Sequence, residues 1–141
     1  MCKNGDRHHF RSSVGVRLTD EQTLALQQFL PEQEGLEAKL RYLLGIMADI
    51  AESETQYRIP PSHIHSGRYF KVRIADELYL RIKKYGEEGE VDETKQATSM
   101  VVCGLEVIPF VGGAGPLRKE ELTRRIRQEL ERRWGRVSAL N

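Results

Sequence analysis

Arg17, Lys71 and Arg73 carry the most directional chemistry in the chain. They sit in two short segments, SVGVRL (13–18) and YFKVRI (69–74), in which polar and apolar residues alternate. Alternation of period two marks a half-buried strand, with one face on a core and the other outside. Ser13, Gly15 and Arg17 fall on the outer face of one segment, and Tyr69, Lys71 and Arg73 on that of the other. An arginine fork can make two parallel hydrogen bonds to the O6 and N7 acceptors of guanine, and lysine can reach the same acceptors.

Other chemistries find little support. No nucleophile is paired with a base and no acids are confined together, so an enzyme is not expected. His63 and His65 form an H-x-H pair with no further ligands at zinc-site spacing, so neither metal nor cofactor is expected. The glycine-rich VGGAGP at 111–116 lacks the Lys and Ser/Thr of a phosphate loop and reads as a hinge.

Composition is that of a soluble globular protein, with 39% hydrophobic and 30% charged residues among 141, and a net charge of +1. No apolar run reaches membrane-spanning length, and MCKNGDRHHF lacks a secretory apolar stretch, so no membrane partner is expected. Cys2 and Cys103 are too few and too far apart for a disulfide framework. The expected location is the cytoplasm.

The elements that must position the outer-face residues come in two copies. After each strand the period changes to that of a short helix. Leu26, Phe29 and Leu30 form its stripe in the first copy, and Leu78, Ile82 and Tyr85 in the second, where Gly86 and Gly89 are expected to stop it. Thr19 and Gln22 have capping-box spacing. At an offset of 56 residues Val16 falls on Val72, Arg17 on Arg73, Leu18 on Ile74, Asp20 on Asp76 and Leu26 on Ile82, an internal repeat of two copies. A longer helix follows in each. Leu36, Leu40, Leu43, Leu44 and Met47 mark the first; Ala97, Met100, Val101 and Leu105 mark the second, which Asp92 can cap and Pro109 ends.

Strand, helix, helix, twice over, resembles a tandem ribbon-helix-helix protein. VGVRLTDEQ and FKVRIADEL are similar to that family's strand and turn into its first helix, and Leu40 to Leu44 (LRYLL) to its second helix. The second copy departs from it in having Thr98 where Arg41 aligns. The resemblance implies a mostly α fold with one two-stranded antiparallel β-ribbon, made of two fused repeats that form an intramolecular pseudo-dimer, plus a C-terminal helix. The implied organisation is a mobile basic tail (1–12), repeat one (13–53), a linker (54–68), repeat two (69–110), and a hinge with a basic amphipathic helix (111–141).

A two-stranded ribbon fits the major groove of B-DNA. Ser13, Gly15, Arg17, Tyr69, Lys71 and Arg73 would then face the bases of double-stranded DNA, with the two strands offering unequal contacts. Fused, non-identical copies are similar to accessory proteins of plasmid conjugation relaxosomes, and a transcriptional repressor of the same fold is the alternative. A third reading is an antitoxin-like interaction module in which the ribbon holds the C-terminal helix for a protein partner. In that helix Leu122, Ile126, Leu130 and Trp134 recur every four residues, amid eight basic residues and four glutamates. Docking on the core or self-association is expected there ahead of DNA contact.

Overall fold

The computed structural model describes residues 10–28, 35–53, 67–88, 90–111 and 118–132. The readings placed on Cys2, Phe29, Leu30, His63, His65, Gly89, Trp134 and, beyond Val111, the 111–116 hinge lie outside the described residues.

The chain is mostly helical around one two-stranded antiparallel sheet. Its order is β1 (Ser12–Leu18), α1 (Asp20–Gln28), α2 (Gly35–Ser53), β2 (Arg68–Ile74), α3 (Asp76–Glu88), α4 (Glu93–Val107), a 3-10 turn at Ile108–Phe110, and α5 (Lys119–Leu130). The register pairs Ser13 with Arg73, Val14 with Val72, Gly15 with Lys71, Val16 with Phe70 and Arg17 with Tyr69.

Alternation sets the faces as expected. Val14, Val16, Leu18, Val72 and Ile74 are buried under the ribbon, while Arg17, Tyr69, Lys71 and Arg73 are exposed above it. Beneath lies a single core. Leu26 of α1, Leu40, Leu43, Leu44 and Met47 of α2, Ile82 of α3, and Ala97, Met100 and Val101 of α4 all join it. The α5 stripe joins the same core through Leu122, Ile126 and Leu130, so that helix docks on the domain.

Local signals hold the ends. Thr19 N–H donates to Gln22 Oε1 at 2.9 Å and Gln22 N–H to Thr19 Oγ1 at 3.2 Å, the reciprocal capping box. Asp92 accepts from Lys95 N–H at 2.8 Å at the start of α4. Buried Lys39 donates to the Gln27 carbonyl at 2.6 Å, which satisfies an acceptor in the last turn of α1 and ties it to α2.

Three expectations on boundaries need correction. Gly86 does not stop α3, which continues to Glu88. The helix ends two residues later, and beyond it Val91 N–H donates to Gly86 O and Glu90 N–H to Glu87 O, with Glu90 at φ 60. These two bonds form the Schellman arrangement, with a glutamate in its left-handed position. The basic tail ends before residue 12. Ser12 belongs to β1 and Phe10 lies under the Arg41 guanidinium, 4.0 Å from the ring centroid. β2 begins at Arg68, which the linker was expected to include.

Candidate nucleic-acid interface

The outer face of the ribbon brings all six sequence-predicted residues together, since β1 and β2 pair in a register that keeps them in phase. Antiparallel pairing groups them by end rather than by strand: Arg17 opposite Tyr69, Gly15 opposite Lys71, Ser13 opposite Arg73. Each pair has a different environment.

At one end Arg17 is exposed, with its guanidinium carbon 5.5 Å from the centroid of the Tyr69 ring, within cation–π range. Its Nη1 also donates to Gly67 O over a long 3.5 Å, and its backbone N–H to Thr98 Oγ1 at 3.0 Å. Tyr69 does not project freely. Its ring lies across the ribbon above Gly15, so close that a Cβ at Gly15 would collide with ring carbons and the hydroxyl. Gly15, expected to face the bases, is therefore buried under Tyr69. Its lack of a side chain serves an internal contact.

In the middle, Lys71 is exposed, and its side chain has no hydrogen-bond or ion-pair partner among the described residues. At the far end Arg73 is held by Glu37, three residues inside α2's first turn. Arg73 Nε donates to Glu37 Oε2 at 2.9 Å and Nη2 to Oε1 at 3.2 Å, while the Arg73 backbone N–H also donates to Oε2 at 2.9 Å. Arg41, one turn further along α2, donates from Nε to Arg73 O at 2.7 Å and lies 3.5 Å from Glu37. Glu37 was not singled out by sequence. Its signal was the Glu37–Arg41 spacing of four at a helix start, an ordinary helical pair that says nothing about which strand it faces.

The Arg73 side-chain hydrogen bond is the main force holding the Glu37 carboxyl below its ordinary value of 4.5, against some burial, with the backbone hydrogen bond and the Arg73 and Arg41 charges adding to it. A carboxyl lowered by folding stabilises the native state above its unfolded value, and that contribution disappears as pH falls through the folded value. The stability lost between about pH 5 and about pH 3 should therefore be smaller in Glu37→Gln than in the wild type. Urea midpoints at the two pH values measure this, and equal losses in the two proteins would mean the pair is not formed in solution.

The charge on α5 is largely matched within the helix. Glu121 accepts from Arg124 and from Arg125 Nε, the latter at 2.8 Å, and its carboxyl is held low chiefly by the Arg124 hydrogen bond and then by Arg125. Glu129 accepts from Arg132 Nη2 at 2.6 Å. Glu121 and Arg125 are four apart along the helix, whereas Glu129 pairs with Arg132, three residues on. Among the described residues no helix is long and apolar enough to cross a membrane.

No family model, curated protein or solved structure matches the chain.

Proposed function

We propose that the protein binds double-stranded DNA by laying the outer face of the β1–β2 ribbon in the major groove, and that its two halves act as a fused pseudo-dimer of ribbon-helix-helix repeats. The observation that carries the DNA reading is the gathering of Arg17, Lys71 and Arg73, with Tyr69, on one exposed face of a ribbon whose other face is core. A ribbon of this width enters the major groove of B-DNA, where arginine and lysine find guanine acceptors.

Two features support the pseudo-dimer. Gly15 pairs with Lys71, its own counterpart at the 56-residue offset, so a two-fold axis relating the repeats would pass through the middle of the ribbon. The strand-to-helix bonds also cross. Thr98 of the second half accepts from Arg17 of the first, while Arg41 of the first half donates to Arg73 of the second. Arg17 and Arg73 are equivalent by the repeat, as are Arg41 and Thr98 once the longer turn is allowed for.

Because the two ends carry different side chains, one molecule should read a non-palindromic sequence. That asymmetry, together with the resemblance of fused copies to relaxosome accessory proteins, favours an architectural role in DNA transfer.

The test is binding to duplexes selected from a random pool, followed by titration with salt. Affinity should fall steeply as salt rises, because phosphate neutralisation releases counterions. Arg17→Ala should cost about 1–3 kcal/mol at the selected site and relax preference there. Arg73→Ala should cost less, since Glu37 already engages the Arg73 fork. Salt-independent association, or undiminished binding by Arg17→Ala, would remove the ribbon as the reader.

A further inference from the structure

We propose that Tyr69 is the specificity-determining side chain of this ribbon, an aromatic platform that recognises the 5-methyl group of a thymine. The proposal rests on the DNA-reading role of the ribbon face and extends it from cationic contacts to an apolar one.

An aromatic side chain on one strand can cover a glycine across from it on its neighbour. Here Gly15 leaves a gap on the opposite strand that the ring fills, and the Arg17 guanidinium lies 5.5 Å from its centroid. Contacts on both β1 residues therefore hold the ring across the ribbon. Even so, Tyr69 stays 53% exposed. An exposed aromatic side chain thus stands beside Arg17 on the same face of the ribbon as Lys71.

The edges of the bases in the major groove are donors and acceptors, with one apolar exception, the methyl group of thymine. The face of the ring offers no lone pair to a cytosine amino group, but it can bury a methyl, and the Tyr69→Phe variant separates the ring from its hydroxyl. The other half of the ribbon lacks this device. The repeat counterpart of Tyr69 is Ser13 and that of Gly15 is Lys71, so neither ring nor gap recurs there. Methyl recognition should be confined to one side of the site, next to the base pair that Arg17 contacts.

Duplexes selected by the whole protein would be remade with deoxyuridine at each thymine in turn, which removes the methyl and leaves base pairing intact. At one position the wild type should bind about fourfold more weakly, the effect of withholding one buried methyl group. Tyr69→Phe should keep that discrimination, whereas Tyr69→Ser should bind both duplexes equally. Gly15→Ala should behave like Tyr69→Ser, because the added Cβ displaces the ring while the ribbon backbone stays in place. Tight binding that ignores uridine at every thymine would overturn the platform and leave the DNA reading intact. So would discrimination that survives Tyr69→Ser. A protein that enriches no duplex would overturn both.

Discussion

A fragment ending at Ser53 should not fold as a monomer. Its strand β1 would keep Val14, Val16 and Leu18, yet the residues that cover them come largely from beyond the cut: Val72, Ile74, Ile82, Met100 and Val101 share the same core. The backbone N–H groups of β1 would lose β2, and the Arg17 N–H would also lose Thr98. α2 would expose Leu43, Leu44 and Met47, which are fully buried in the whole chain. A unit of some forty residues with one unpaired strand cannot shelter enough apolar surface to offset its conformational entropy. Circular dichroism and sedimentation of residues 12–53 would show either an unfolded chain or self-association through the freed surfaces. A folded monomer with a cooperative unfolding transition would overturn the shared core.

The second large effect is expected where α2 and α4 cross. Leu43 is fully buried, and a Cβ built on Gly104 would lie 2.9 Å from Leu43 Cδ1 and 3.3 Å from Met47 Sδ. The glycine lets the helices approach until the leucine fills its notch. Leu43→Ala should cost about 2–5 kcal/mol, the transfer of the lost carbons plus the void left behind. Gly104→Ala alone should cost about 1–3 kcal/mol through overpacking, partly offset by the better helix propensity of alanine. In the Leu43→Ala background the same Gly104→Ala change should turn stabilising, because its methyl enters the space the leucine vacated. Denaturant unfolding of the four proteins measures the coupling. Additive effects would mean that the two residues do not meet.

The strands, the capping box and the stripes of α2, α4 and α5 were legible because each depends on residues close together in the sequence. Val14, Val16 and Leu18 declare their own face, and Thr19 and Gln22 their own bond. The state of the six outer-face residues was not legible. Whether Tyr69 stands in solvent or lies on Gly15 depends on the register between β1 and β2, and a shift of one pair would separate them. Whether Arg73 is free depends on the first turn of α2 reaching the edge of β2, a contact between residues 36 positions apart. Gly86 stays within α3 for a different reason. Glycine lowers helix propensity by about 1 kcal/mol relative to alanine, a bias that the return of Val91 N–H to Gly86 O overrides.

The ribbon joins segments that are far apart along the chain, its nearest pair being Leu18 and Arg68. Closing so long a loop costs entropy before any strand pairing repays it, and proteins dominated by such contacts fold slowly. Before β2 exists, α1 and α2 can form only transiently, because their apolar stripes lack the partners that stabilise them, and during synthesis β1 must wait for β2 to leave the ribosome. The outer face is thus among the last surfaces to exist. Any activity that resides there is withheld from incomplete and misfolded chains, and its appearance after dilution from denaturant should trail the recovery of helix.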